Sequence, residues 1–439
     1  MLLFSIVLFA GARMLMADTF TDWDEELYLI VARGWKNGLL PYQDIFDHKP
    51  PFVYLVYYLS SFGGKTMWLV RLIIALGLFY AVFTTSRCLK KLFSMNDSEL
   101  LVFISLVVAA LSFRGGITAN TESLYIPALF IAFGQLHQKR IMTAAIAGAF
   151  ALSIKYTTMF DLLGIAITYW VWHRPHRVCA AHCIRFLLLS FCFAGLQYLI
   201  FGLYFFSQNV SLFNHIVRDN LIHSGDRVSL VSPRLFYSLR FPVYLTLIPF
   251  VAWFLSKRKV LHGNFVVGAI VWGGLVLVQA MLTGQYYPHY FLPFVLPAII
   301  SVTNIRLSRA AIAVAAVFLL LVSVWTIWDS LKYQQSFKRK AEEVIVYCPL
   351  LRDGHYVLDD ISLYRLCGVS RFDKYVFPPF YRIEHYASLS NSGGLASLRS
   401  KVETGVLPGI VFISAKTSLP EPLKKLPNSK VVPMKLSSF

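Results

Sequence analysis

A mainly α, polytopic membrane protein of about eleven transmembrane helices, with amphipathic helices in its first outer loop and a small C-terminal α/β outer domain, is the fold class this sequence predicts. Three observations carry that prediction. The 439 residues are 57% hydrophobic and only 15% charged, with a mean hydropathy of +0.59, too apolar for an ordinary soluble chain. Apolar segments near bilayer length recur along most of the sequence. Lys and Arg gather in the alternate connections between them. The excess of 41 Lys plus Arg over 23 Asp plus Glu gives a net charge of +18, which in a soluble domain would raise nucleic-acid binding. Here the basic clusters are short and flank apolar spans, so topology and anionic headgroups explain them, and membrane lipids rather than nucleic acid are the expected partners. The same composition excludes disorder, coiled coil and collagen.

Spans are expected near 2–17, 66–86, 99–113, 121–136, 141–154, 157–172, 184–206, 238–255, 264–282, 288–304 and 310–328. The first is short and contains Arg13, so it also fits the apolar stretch of a cleaved signal peptide, and cleavage would leave the later topology unchanged. The halves 141–154 and 157–172 are short and flank Lys155, so either could be re-entrant. With the amino terminus inside, the inner connections carry Arg87, Lys90 and Lys91, then Lys139 and Arg140, then Arg174, Arg177 and Arg185, then Lys257, Arg258 and Lys259, then Arg306 and Arg309. The outer connections carry Arg114 alone at 114–120, Lys155 at a tight turn, and no basic residue at 283–287. This parity puts the loops 18–65 and 207–237 and the tail from 329 on the outer face.

The chain thus divides into a membrane domain, 1–328, and an outer domain, 329–439. The tail is rich in Pro and contains short strand-like runs, VIVYC, HYVLDD and GIVFISA, but no bilayer-length segment. Cys88, Cys179 and Cys183 fall in inner loops and Cys192 within a span, while Cys348 and Cys367 lie in the tail. An oxidising compartment would permit a bridge between the last two, although sequence does not fix its geometry. No zinc-type Cys or His spacing appears.

The loop 18–65 is the informative segment. In a chain poor in acids it concentrates Asp18, Asp22, Asp24, Glu25, Glu26, Asp44 and Asp47. DWDEELYLIVARGW reads as a helix start in which Asp22 or Asp24 caps the first turn and Leu27, Ile30, Val31 and Trp35 form the apolar stripe. Gly38 stops it, with Pro41 just beyond. A second helix is expected after HKPP, with Phe52, Tyr54, Leu55, Tyr58 and Leu59 on its face. Capping and a solvated face are the plain explanations of these acids. Their clustering at a membrane-side helix start, followed by Lys49 in a Pro-stiffened turn, favours a site instead. A carboxylate can take a proton from an attacking hydroxyl and an ammonium can hold a departing phosphate, which suggests displacement at carbon with phosphate leaving.

The string DEELYLIVARGWKNGLLPYQDIFDHKPP resembles the first extracytoplasmic loop of the membrane-embedded GT-C glycosyltransferases, in the family-39-like bacterial branch related to protein O-mannosyltransferases and the lipid A aminoarabinose transferase. ANTESLYIP at 119–127 resembles that family's second acidic element, YYPHYFLPFVLP at 286–297 its later HY segment, and YVLDDISLYRLCGVSRFDKY its outer domain. The resemblance implies a sugar moved from a polyprenyl-phosphate donor, usually with inversion, to a lipid, glycan or protein acceptor at the outer face of the bacterial cytoplasmic membrane.

Carried over residue by residue, Asp24 matches the base, with Glu25 supporting it, and Asp22 competes for that role because the string offers both DxD and DE readings. Glu122 matches the second acid, which would orient the acceptor or share the proton; a span-end carboxylate reaching water is its plain alternative. Lys49 matches the phosphate contact, where an interfacial anchor is the alternative. Arg114 and Lys155 could add charge to the same phosphate. An unpartnered Lys at mid-depth costs roughly 2.5 to 3.5 kcal/mol, so Lys155 is either near the surface or paired. His289 and Tyr290 would face the sugar or phosphate from the opposite side, and His48 would orient the turn before Lys49. The site thus draws on the first loop, the ends of the fourth and tenth spans and the outer domain. A divalent metal is compatible with carboxylates meeting phosphate, but no strict ligand spacing is present. The loop at 207–234 would form part of an acceptor entrance or lid. A transporter or flippase for lipid-linked saccharides is the alternative class, although no internal repeat or matched pair of broken spans supports it.

Overall fold

The computed structural model describes residues 23–45, 47–64, 66–111, 118–173, 177–212, 263–282, 286–302, 309–358, 361–369, 400–414 and 429–433, with isolated positions at 11, 214, 235, 236, 238–240 and 243. In chain order its helices are α1 (Trp23–Lys36), α2 (Pro51–Ser60), α3 (Trp68–Phe93), α4 (Asp97–Leu111), α5 (Thr121–His137), α6 (Ile141–Ile154), α7 (Met159–Trp172), α8 (Arg177–Ser207), α9 (Gly263–Leu282), α10 (Val295–Val302), α11 (Arg309–Val344), α12 (Cys348–Arg352) and α13 (Ser362–Leu366). Three strands, β1 (Tyr356–Leu358), β2 (Ile410–Ser414) and β3 (Ser429–Pro433), complete the described elements. By length and composition α3, α8 and α9 are each able to cross a bilayer, and the protein is membrane-embedded. The expected spans 2–17 and, for the most part, 238–255, together with most of the loop 207–237, lie outside the described residues.

The chain forms two compact units. The first comprises 1–15, 71–204 and 227–330. Within it α7 and α9 approach so closely that only glycine fits at their crossing. A Cβ on Gly164 would come within 2.3 Å of the Trp272 ring, and one on Gly268 within 2.8 Å of the Thr168 backbone, the small-residue contact by which helices in lipid gain dispersion. Thr85 Oγ1 of α3 donates to the Phe130 carbonyl of α5 at 2.6 Å, and Tyr198 of α8 donates to the Leu152 carbonyl of α6 at 3.2 Å. The outward side of α8 exposes Leu188, Leu196, Leu199, Ile200 and Leu203, as a face turned to hydrocarbon would.

The paired halves predicted at 141–154 and 157–172 are present as α6 and α7. Lys155 breaks the helix in extended backbone and residues 156–158 form a 3-10 turn. The expected span 288–304 is a 3-10 segment over Pro288–Phe294 followed by α10, because Pro293 removes a backbone donor inside it. The expected span 310–328 continues as α11 to Val344, through a stretch rich in Lys, Gln and Glu that favours helix.

The second unit comprises 16–70, 205–226 and 331–439, so the first long loop groups with the tail. Here β1, β2 and β3 pair in parallel in that order, Tyr356 opposite Ile410 and Ile410 opposite Ser429. HYVLDD and GIVFISA thus supply strands, whereas VIVYC does not. Residues 345–347 form a 3-10 turn between α11 and α12, since extending an existing helix avoids the nucleation cost and Pro349 suits a helix start. Cys348 and Cys367 form a disulfide.

Both helices expected in the first loop are present. Gly38, at φ 86°, follows the end of α1 and its amide donates to the Trp35 carbonyl at 3.1 Å. Burial of α1 runs through Glu25–Ala32 and includes Gly34, beyond the expected stripe. The face of α2 differs from the expected one. Val53, Tyr54, Tyr57 and Ser60 are buried, while Leu59 is 65% exposed. The Tyr28 ring meets those of Tyr54 and Tyr57 edge-on at 6.1 and 5.2 Å, so packing against α1 sets the phase of α2.

Candidate active site

Asp24 lies in the first turn of α1, where a carboxylate meets the positive end of the helix dipole. Lys49 lies just before the two prolines that open α2. The turn between them places Lys49 Nζ 3.8 Å from Asp24 Oδ2, with both side chains less than a fifth exposed. The Tyr28 hydroxyl donates to the same Oδ2 at 3.4 Å. Tyr42, in left-handed backbone at φ 70°, donates its hydroxyl to the Lys49 carbonyl at 2.7 Å and so fixes the turn.

Behind this pair sits a carboxylate that the sequence reading counted but gave no role. Asp47 is buried and accepts 2.7 Å hydrogen bonds from the Tyr54 hydroxyl and the His48 amide. Burial pushes its carboxyl up to about 6, against the opposing pull of Lys49 and the Tyr54 hydrogen bond. The Tyr28 and Tyr54 phenols are also pushed well up, first by burial and then by the Asp24 and Asp47 charges, so both stay protonated donors. The His48 ring places Nδ1 3.4 Å from Asp47 Oδ1. Glu25 is buried in the same turn as Asp24. Glu26 takes a bidentate bond from Arg365, with Nη2 to Oε1 at 2.7 Å and Nε to Oε1 and Oε2 at 3.0 and 3.1 Å.

The first unit holds a second polar cluster. Asn120 caps α5, its Oδ1 accepting from the Glu122 amide at 3.1 Å. This places Glu122, fully buried, at the head of the helix. Its Oε1 is ion-paired with Lys155, and Oε2 accepts from Thr121 Oγ1 at 2.9 Å. Lys155 is therefore paired. Its ammonium also stands 4.2 Å over the Tyr290 ring, and Tyr290 meets His289, which stacks on Tyr287. Four of the predicted residues, Glu122, Lys155, His289 and Tyr290, are thus brought together here.

Asp161, which the sequence reading passed over inside an apolar half-span, is buried in this unit. It accepts from Trp272 Nε1 at 3.1 Å, and the Gln279 amide, oriented to donate, bonds both Asp161 Oδ2 at 3.0 Å and the Thr157 carbonyl at 3.1 Å. That ties the turn after Lys155 to α9. Its sequence signal was an acid in a membrane half-helix, which needs a buried partner. Asp22 and Arg114 lie outside the described residues. Among the described residues no three His, Cys, Asp or Glu side chains form a group able to hold a metal ion.

The helical membrane unit, the acidic first loop and the appended α/β unit share the architecture of the GT-C fold. Among the solved structures the chain resembles are two of ArnT from Cupriavidus metallidurans. The one bound to undecaprenyl phosphate has a TM-score of 0.51 at 13% identity, over 95% of this chain and 80% of that one. The apo structure has a TM-score of 0.52 at 13% identity, over 83% of each chain. At that identity the likeness is one of fold. No protein-family model matches the sequence and no curated protein matches it significantly.

Proposed function

We propose that this protein is a family-39-like glycosyltransferase that moves a sugar from a polyprenyl-phosphate donor to an acceptor at the outer face of the bacterial cytoplasmic membrane. The observation that carries the reading is the Asp24–Lys49 pair, a proton acceptor and a cation held together in the segment that resembles the family's first loop. A solved protein of the same fold binds undecaprenyl phosphate, which supports a polyprenyl-phosphate partner. The Cys348–Cys367 disulfide supports a non-cytosolic place for the second unit, because such bonds persist in oxidising compartments.

The reaction is an inverting single displacement. The acceptor hydroxyl or amine attacks the anomeric carbon as its proton passes to Asp24. The bond from that carbon to the phosphate oxygen breaks with its electron pair, and the released charge on the polyprenyl phosphate is held by Lys49. Asp24 occupies Lys49 before the donor arrives; the phosphate then takes over the ammonium and leaves the carboxylate to accept the proton. Tyr28 keeps the carboxylate oriented, while Asp47 and His48 hold the lysine turn. Glu25, buried in the same turn as Asp24, would support that base by hydrogen bonding. Glu122 would orient the acceptor, and Lys155, His289 and Tyr290 would bind donor headgroup. A divalent metal would add charge neutralisation at the phosphate.

Mass spectrometry of outer-face glycoconjugates from cells with and without the gene tests the reading. A sugar residue lost from one acceptor in the deletion supports it and identifies both substrates. An unchanged set, together with lipid-linked saccharide accumulating on one side of the membrane, would favour a flippase.

A further inference from the structure

Asp24 is held by α1, and α1 is held by the tail. Glu26, in the same turn as Asp24, is buried and takes the bidentate guanidinium of Arg365. Further along α1, Arg33 Nη1 donates to the carbonyls of Tyr364 at 3.3 Å and Val369 at 3.1 Å. Those two carbonyls bracket Arg365, so α1 and the α13 segment grip each other at two points. The disulfide joins Cys367, just past α13, to Cys348 at the head of α12. A buried ion pair adds little net stability over apolar packing of equal volume. A planar fork on a carboxylate does fix distance and angle.

We infer that Arg365 is a positioning residue for the transfer reaction: through Glu26 it sets the pose of the α1 turn that carries Asp24, and the Cys348–Cys367 bridge holds Arg365 in place. The inference rests on the glycosyltransferase reading. Arg365 acts on Asp24 through Glu26, so its loss should lower turnover and leave donor recognition by Lys49 intact. A displacement of the base by about 1 Å costs on the order of 100-fold in rate.

The test uses the full-length protein in liposomes with a radiolabelled polyprenyl-phosphate sugar. Arg365→Ala is expected to lower kcat about 100-fold while the donor KM stays within about twofold, and added guanidinium ion is expected to restore turnover in a saturable manner. Arg365→Lys, which keeps charge without the fork, is expected to fall between. Wild-type transfer with unchanged kcat in Arg365→Ala would overturn the positioning role and leave the activity standing. A loss of turnover that guanidinium does not restore would overturn it as well, by marking the residue as merely structural. Absence of transfer by the wild-type protein would instead remove the reading on which the inference rests.

Discussion

The ammonium of Lys155 is ion-paired with the carboxylate of Glu122, and both side chains are at most about an eighth exposed. Neither charge is stable alone when so buried, because its desolvation is offset only by the partner and the remaining hydrogen bonds. Glu122→Gln and Lys155→Met are each expected to destabilise the protein by about 3 kcal/mol, whereas the double variant should lose clearly less than the sum. Unfolding titrations in SDS and mixed micelles of all four proteins measure the coupling, and additive losses would contradict it.

Lys49→Ala is expected to weaken donor binding by about 10- to 100-fold, the worth of one charge-assisted hydrogen bond to phosphate, with the fold retained. Titration with a fluorescent polyprenyl phosphate reads the affinity. Unchanged binding would remove Lys49 from the phosphate site.

Asp47 gives a pH dependence with a definite sign. Its carboxyl is raised by burial from 3.8 to about 6, so the folded state holds a proton that the unfolded chain has lost across that interval. Stability should therefore fall as pH rises from about 4 to about 6, by on the order of 3 kcal/mol at most, and level off above. Asp47→Asn, which can still accept from Tyr54, should flatten that slope. Thermal unfolding of both proteins from pH 4 to 7 decides it, and identical slopes would contradict the assignment.

The disulfide encloses β1 and α13, with its cysteines 19 residues apart. Removing it as Cys348→Ser with Cys367→Ser is expected to cost about 3 kcal/mol through the freed unfolded chain. The loss should show as proteolysis at the tail in oxidised samples, and wild-type protein treated with a reductant should match it. Equal protease resistance with and without the bridge would contradict this.

Much of the helical architecture was legible because hydrophobic length is a property of consecutive residues. The break at Lys155 could be read from a charge between two apolar halves, and the end of α1 from Gly38. What could not be read were relations between distant residues. Lys155 announced that it needed a partner, but Glu122 is 33 positions away, and nothing local distinguishes it from an acid reaching water. Glu26 looked like one more first-turn carboxylate because its guanidinium partner lies 339 positions along the chain. The face of α2 was misjudged because Tyr28 fixes its rotation, which no periodicity within ten residues encodes. VIVYC failed for a related reason, since a short apolar run suits strand and helix end alike until the helix before it is known. The approach of Lys49 Nζ to within 3.8 Å of Asp24 Oδ2 spans 25 positions of one folded unit and is likewise a relation that only the fold displays.

The most direct test is transfer of labelled sugar from a polyprenyl-phosphate donor by the purified protein in liposomes, compared with Asp24→Asn. The wild-type protein should release polyprenyl phosphate and form labelled acceptor product, and Asp24→Asn should insert normally, bind donor and lose at least about 100-fold in turnover. Wild-type rates in Asp24→Asn, or passage of intact donor across the bilayer without any bond broken, would contradict the account.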